Sequence, residues 1–118
     1  MGIVSTHLSM SLDGFVADHD DGVGPLFDWY SNGDVAYAMP GQHGAAHTTM
    51  TRASVDFLSA AIDGLGAIVA GRRLFDHTRG WGGAHPAGRP VVVCTHTVPQ
   101  RWVDEHPDAD LTFVTDGV

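Results

Sequence analysis

Two polar clusters follow short apolar runs at positions where side chains could bind a ligand together. Gly71-Arg72-Arg73 comes directly after Ala67–Ala70, and Thr95-His96-Thr97 comes directly after Val91–Cys94. Short β-branched runs bounded by Gly or Pro, with no alternation of polar residues, are typical of strands buried on both faces. Neighbouring parallel strands end at the same edge of a sheet, which is where α/β proteins bind ligands. We therefore expect the two clusters to lie at one edge.

The residue types at this edge suit a phosphate group. Arg72 and Arg73 supply positive charge and a planar fork of donors, and Gly71 lets a ligand approach the backbone closely. A helix that opens at Arg73 would point its free N–H groups at an anion. The pattern alone leaves an alternative open, in which both arginines are solvated or paired with surface carboxylates. The simplest ligand for such an edge is a phosphorylated nucleotide.

Four motifs in a fixed order resemble those of a known superfamily. They are Ser9–Phe15 (SMSLDGF), Val69–Phe75 (VAGRRLF), Trp81-Gly82-Gly83 and Val91–His96 (VVVCTH). Together they resemble the dihydrofolate-reductase-like superfamily, most closely its bacterial branch related to the reductase domain of riboflavin biosynthesis. The resemblance covers nearly the whole chain. It implies an α/β fold with a mostly parallel sheet flanked by helices.

The resemblance also implies a cofactor and an activity. In the family, the residues that match Gly71, Arg72, Arg73, Thr95 and His96 hold the adenosine side of NADPH. The implied reaction is hydride transfer from NADPH to a small heterocyclic substrate of the pterin or aminopyrimidine type. The cofactor carries that chemistry, and the protein positions the reactants.

Asp13 and Trp29 are the candidate residues on the substrate side. We expect a first strand over Ile3–Met10 and a turn at Leu12-Asp13-Gly14, since Asp-Gly favours tight turns. The resemblance places Asp13 beside the reactive end of the cofactor, whereas a turn aspartate commonly bonds its own backbone. The resemblance identifies the loop Ala17–Tyr30 as one that closes over the active site with Trp29 near its end. The alternative is an aromatic side chain that belongs to the core or anchors the loop.

The remaining elements are predicted from periodicity. An apolar stripe predicts a helix over Thr51–Asp63, capped by Thr51 or Ser54, ended by a left-handed Gly64 and covering one face of the sheet. We expect a loop with at most one helical turn over Val98–Asp110 and a strand over Leu111–Thr115.

Ser31–Thr49 shows no sustained period, and we expect no regular element there. His43 and His47 have the spacing of two metal ligands on a helix, but no glutamate lies between them and no third ligand is evident. We therefore expect solvated histidines and no metal site.

Proteins of the resembled family continue past the position of Val118 with a helix, a strand and a closing hairpin. We therefore expect this single domain, residues 1–118, to lack C-terminal elements of the fold and to form a homodimer. The alternative to a reductase is a non-catalytic remnant that binds nucleotide weakly or serves as an assembly partner.

Charge and cysteine content narrow the classes of partner. With 14 acidic residues, 6 arginines and no lysine, the formal net charge is −8. This balance argues against a broad electrostatic surface for nucleic acid or an anionic membrane. Cys94 is the single cysteine, so an internal disulfide is excluded. Because no signal peptide and no membrane-length apolar run are evident, we expect a cytoplasmic protein.

Overall fold

The computed structural model describes residues 2–41 and 47–117, which divide into two compact units. The first unit comprises Met1–Tyr37 and Thr48–Asp56, and the second comprises Ala38–His47 and Phe57–Val118. In chain order the elements are a 3-10 helix over Gly24–Ser31, β1 (Val35–Ala38), β2 (His47–Met50), α1 (Arg52–Asp63), β3 (Ile68–Gly71), α2 (Arg72–Thr78), β4 (Val91–Cys94), α3 (Gln100–Glu105) and β5 (Leu111–Val114). None of the helices among these residues is long and apolar enough to cross a membrane.

A three-stranded parallel sheet organises the second unit. Its strand order is β3-β4-β5, with Ile68 beside Val91 and Val91 beside Leu111. The strands predicted from the apolar runs are confirmed, as is a mixed α/β architecture with helices between parallel strands. The connection between β3 and β4 contains α2, which begins at Arg72, one residue before the predicted start.

One face of this sheet is packed by aromatic side chains. Phe75 of α2 is 2% exposed, and its ring lies 5.0 Å from Trp102 and 5.2 Å from Phe113, edge to face in both cases. The buried members of this cluster are Ala70, Phe75, Val91 and Val93. The cover comes from α2, the turn after it and α3, whereas the sequence assigned that role to the helix over residues 51–63.

The opposite face of β3 is open, which corrects the prediction that the strand is buried on both sides. Val69 is 66% exposed, and Thr112, which shares its face two strands away, is exposed as well. β4 lies between β3 and β5 and is more fully covered, with Val91 and Val93 buried. The apolar run therefore predicts correctly that these residues form a strand, but it does not predict which face of the strand is covered.

Helix α1 matches its prediction at the start and differs at the end. The Thr51 hydroxyl accepts the backbone N–H of Ser54 at 3.2 Å, which is the expected cap. The predicted left-handed conformation of Gly64 is wrong, because its φ lies outside the left-handed region. Instead, its N–H donates to the Ala60 carbonyl at 3.3 Å and extends the helical bonding pattern by one residue.

The N-terminal prediction is wrong. Residues 3–10 form no strand, and Ile3 and Val4 are 95% and 97% exposed. A strand requires a neighbouring strand for its backbone groups, and among the described residues no strand pairs with this segment. An apolar pattern by itself cannot supply that neighbour.

Regular elements are present where the sequence predicted none. β1 and β2 form a two-stranded sheet, in which the Thr48 hydroxyl donates to the Tyr37 carbonyl at 3.0 Å. The predicted loop contains the 3-10 helix over Gly24–Ser31, with Pro25 in its first turn. α3 has six residues, more than the single turn predicted. β1 (VAYA) and β2 (HTTM) are as long as the strands of the parallel sheet but lack a continuous β-branched apolar run, so the hydrophobic pattern does not report them.

The chain leaves α2 through a run of left-handed backbone. Arg79, Gly80, Trp81, Gly82 and Gly83 all have positive φ, between 51° and 102°. Gly80 lies under the aromatic cluster, where a Cβ would come within 2.5 Å of Trp102 and 2.7 Å of Phe75. Gly82 has no atom within 4 Å of the equivalent position. This turn therefore brings the chain beneath two aromatic rings.

Alanine substitutions at Gly80 and Gly82 separate the cost of left-handed backbone, which both positions share, from the cost of a clash with the rings, which only Gly80 has. Gly82→Ala should cost about 1 kcal/mol, because an L residue is strained in left-handed backbone. Gly80→Ala carries the same strain plus a clash with the rings, and should cost roughly 2–4 kcal/mol in total. Urea unfolding followed by tryptophan fluorescence measures both. Equal losses for the two variants would contradict the packing of Gly80 under Trp102.

His85 is held as a neutral ring in the same connection. Its Nδ1 accepts the Ala87 N–H at 3.0 Å, its ring lies 4.8 Å from Trp81, and burial lowers its pKa. Protonation removes that acceptor and places a charge in a half-buried position. The folded state therefore favours the neutral imidazole.

We expect His85 to reduce stability as the solution becomes acidic. Above about pH 6.5, the pKa of an unfolded histidine, the residue is neutral in both states and costs nothing. As the pH falls below that value the unfolded chain binds the proton first, so stability declines until the lower folded pKa is reached. His85→Asn keeps an acceptor for the Ala87 N–H, and should make thermal stability less dependent on pH below about 6.5. Unchanged pH dependence would contradict the assignment.

Candidate functional site

The Arg72 guanidinium is fixed at the carboxyl edge of β3 and β4. Its Nε lies 2.9 Å and 3.0 Å from the two carboxylate oxygens of Asp76, one helical turn later. Its Nη1 donates to the Thr97 carbonyl at 2.8 Å and lies 3.4 Å from the Thr95 hydroxyl. Its Cζ lies 5.9 Å from the centre of the Phe75 ring. Arg72 thereby ties α2 to the segment after β4.

The segment after β4 is ordered by its own short hydrogen bonds. The Thr95 N–H donates to the Val114 carbonyl at 3.0 Å, which extends the β4–β5 pairing beyond the strand. The Thr95 hydroxyl donates to the Thr97 carbonyl at 3.0 Å and accepts the Thr97 N–H at 3.3 Å. His96 lies between these threonines and is exposed. The predicted neighbours Arg72 and Thr95 are therefore brought together, and His96 is on the surface beside them.

Gly71 and Arg73 complete this edge. Gly71 has φ −83° and ψ 163°, an extended conformation open to any L residue, and a Cβ there would have no atom within 4 Å. Arg73 is exposed on the first turn of α2. The edge thus offers open space over Gly71 next to two arginines, which is the space a bound group would need.

Asp76 sets the charge of this edge and was missed from the sequence. Its carboxylate is 56% exposed and offsets the charge of Arg72. Solvent screens such a pair, but the Nε–H shared between both carboxylate oxygens helps to orient the guanidinium. The Arg–Asp spacing of four residues on a helix was a readable signal for it.

Asp13 lies in an exposed turn of the first unit. Its Oδ1 accepts the Ser11 hydroxyl at 2.6 Å, and that hydroxyl accepts the Phe15 N–H at 3.0 Å. The Ser11 N–H donates to the Phe15 carbonyl at 2.8 Å, which closes the turn. Asp13 also lines an open groove of about 680 Å³ together with Phe15, Asp18 and Leu26. Its carboxylate stabilises local backbone through Ser11 and remains accessible to a ligand.

Trp29 is half-buried at the end of the 3-10 helix. Its Nε1 donates to the Ser9 hydroxyl at 3.2 Å, and its ring stacks on Tyr30 at 4.1 Å. Burial, with a contribution from Tyr37, raises the pKa of Tyr30, so its phenol stays protonated at neutral pH. These contacts anchor the segment that contains Trp29, which is the role the alternative interpretation described.

No group of three or more metal-ligating side chains occurs among residues 2–41 and 47–117. His43 and the side chain of His47, the pair with helical metal spacing, lie outside the described residues.

Arg72→Ala should destabilise the protein through the loss of the link to Thr97. A charge-assisted hydrogen bond to a carbonyl, partly screened here, predicts a loss of about 1 kcal/mol. Arg101 is the matched control, because its Nε contacts Glu105 at 2.8 Å with the same four-residue spacing but it is 92% exposed. Arg101→Ala should change the urea midpoint little. Equal effects of the two substitutions would show that the Thr97 contact contributes nothing.

Comparison of the chain with protein-family models, with curated proteins and with solved structures finds no match in any of the three. The resemblance to the dihydrofolate-reductase-like superfamily therefore rests on the sequence motifs.

Proposed function

We propose that the protein binds NADPH at the edge formed by Gly71, Arg72, Arg73, Thr95 and His96. The observation that carries this proposal is the placement of Arg72, which contacts Asp76, Thr95 and Thr97 at the carboxyl edge of parallel strands. A guanidinium held in position loses less conformational freedom when it binds a phosphate. In α/β sheets this edge is the usual place for a nucleotide.

The residues of this edge fit an adenosine 2′-phosphate. Arg72 and Arg73 would contact phosphate oxygens, the Thr95 hydroxyl and the His96 ring would contact the ribose phosphate, and the open space at Gly71 would admit the nucleotide. Asp76 opposes this binding by occupying the Arg72 Nε with a negative charge. A ligand must therefore compete with the Asp76 carboxylate for Arg72. A phosphate monoester, with up to two negative charges, can do so, and we expect the site to prefer it to an uncharged group.

The reaction that agrees with this ligand is reduction of a small heterocycle of the pterin or aminopyrimidine type, in a fold of the dihydrofolate-reductase-like kind. NADPH, when bound, supplies the hydride. The roles of Asp13 and Trp29 on the substrate side are proposed from the resemblance. Asp13 supports this role by being accessible in a groove. The contacts of Trp29 with Ser9 and Tyr30 anchor its own segment, so its substrate-side role rests on the resemblance alone.

A second candidate is nucleotide binding without catalysis. It is favoured by the N-terminal segment, because residues 3–10 form no strand that would fix Asp13 in place. NADPH binding without oxidation of NADPH by dihydropterins or aminopyrimidine ketones would select this candidate over the reductase.

We expect the chain to bind NADPH about tenfold to a hundredfold more tightly than NADH. The 2′-phosphate adds a charge-assisted contact worth roughly 1.5–3 kcal/mol. Isothermal titration calorimetry with both nucleotides measures the difference. Arg72→Ala should narrow the gap, and equal affinities for the two nucleotides in the native protein would refute the assignment.

Asp76→Asn and Gly71→Ala test the same edge in opposite directions. Asp76→Asn removes the competing carboxylate, so NADPH should bind several-fold more tightly while NADH changes less. Gly71→Ala fits the observed φ and open space, so folding should change little, but the added methyl should weaken the binding of both nucleotides. If neither substitution alters affinity, the nucleotide binds elsewhere or not at all.

A further inference from the structure

Asn32 is the only asparagine of the chain, and a glycine follows it. An asparagine loses ammonia when the backbone nitrogen of the next residue attacks its side-chain carbonyl carbon, and a glycine hinders that attack least. The Asn32 side chain is exposed and forms no hydrogen bond with any residue that the structure describes. The carbon that is attacked in this reaction is therefore open to solvent.

The attacking atom, the Gly33 nitrogen, is held by the fold. Its N–H donates to the Thr49 carbonyl at 3.0 Å. Gly33 also lies so close to the backbone that follows Thr49 that an added Cβ would overlap the Met50 carbonyl and the Thr51 nitrogen. To react, the Gly33 nitrogen must release its proton and turn toward the Asn32 side chain. Both contacts, which lie within the first unit, oppose that movement.

Other residues that precede a glycine are less reactive than Asn32. Four of them are aspartates, namely Asp13, Asp21, Asp63 and Asp116. An ionised carboxylate is a poorer electrophile than an amide, so ring closure on these residues needs the protonated acid, which is scarce at neutral pH. Asn32 therefore reacts first wherever the backbone is free to move.

We propose that Asn32 is a modification site that the folded first unit protects. While the Gly33 N–H is bonded to the Thr49 carbonyl, the side-chain amide is retained. When this segment opens, the Gly33 nitrogen bonds to the Asn32 Cγ, ammonia leaves, and a five-membered succinimide forms. Water then opens the ring at one of its two carbonyls and leaves aspartate or isoaspartate at position 32. Solvent water is the only other reactant, and no bound nucleotide is involved.

The isoaspartyl product prevents the segment from closing again. Its main chain runs through the former side chain and is longer by one methylene group, which displaces Gly33 from the Thr49 carbonyl. The close contact of Gly33 with Met50 and Thr51 does not admit even an added methyl group, so it cannot re-form on the shifted backbone. Opening of this segment is therefore irreversible once the conversion has taken place.

Peptide mapping by mass spectrometry measures the conversion of Asn32 at neutral pH. Three samples are compared: the complete chain in native buffer, the same chain unfolded in urea, and a peptide of residues 28–37. The peptide and the unfolded chain should convert at similar rates, and the native chain at least about tenfold more slowly, because its reaction requires opening. Asn32→Gln is the control. Its longer side chain must close a less favourable ring, so it should stay unconverted in urea.

Met50→Ala and Leu74→Ala locate the protecting contact. The Met50 side chain is fully buried and its backbone adjoins Gly33, so the truncation should loosen the first unit and speed conversion in native buffer. Leu74 is exposed in the second unit, and its truncation should leave the rate unchanged. Where Met50→Ala does not fold, urea below the unfolding transition gives the same comparison in the native chain, and the rate should rise with urea.

Refolding tests the irreversible step. Chains converted in urea are returned to native buffer, and protection of the Gly33 amide against hydrogen exchange is measured. The aspartyl form, also made as Asn32→Asp, should regain protection, because the exposed side chain at this position has no partner to lose. The isoaspartyl form should not. Conversion of the native chain at the rate of the peptide overturns the proposal, as does an unconverted Asn32 in urea or an isoaspartyl form that regains protection.

Discussion

The packing of Phe75 on the parallel sheet is the contact on which the second unit depends. Its buried ring lies against Trp102 of α3 and Phe113 of β5, so one side chain joins two helices and the sheet. Phe75 also fixes the rotation of α2. That rotation directs Arg72, three residues earlier, toward the segment after β4 and Asp76 toward the Arg72 guanidinium. The position of the candidate binding residues is thus a consequence of core packing.

The strands of this unit could be predicted because the information is local. Each is a β-branched run bounded by Gly, Pro or polar residues, and parallel pairing follows from the helical connections between them. The N-terminal segment shows the limit of this reasoning. IVSTHLSM has strand composition, but whether it forms a strand depends on a partner elsewhere, which no local pattern encodes. The coverage of Val69 was unpredictable for the same reason.

For the candidate site too, the features that depend on local sequence could be predicted, and those that depend on distant contacts could not. Gly71, Arg72 and Thr95 could be placed at one edge because strand ends define it. The contact between Arg72 and Asp76 could be predicted from their four-residue spacing on a helix. The contact with the Thr97 carbonyl could not, because every residue has a backbone carbonyl and the residue type at position 97 does not indicate it. The run of positive φ through Trp81 could be predicted only in part. The glycines at 80, 82 and 83 adopt positive φ readily, but a bulky aromatic residue rarely does, and Trp81 has φ 51°.

A parallel sheet is normally covered on both faces, and this one is covered by aromatic residues on one. Val69 on the open face and Leu8 and Met10 in the first unit leave apolar surface in water, at roughly 25 cal/mol for each Å² that could be buried. The formal net charge of −8 opposes association of two copies, although salt screens like charges beyond about 8 Å. The uncharged stretches are where that repulsion is weakest. Exposed apolar surface and net negative charge therefore act on the association of copies in opposite directions.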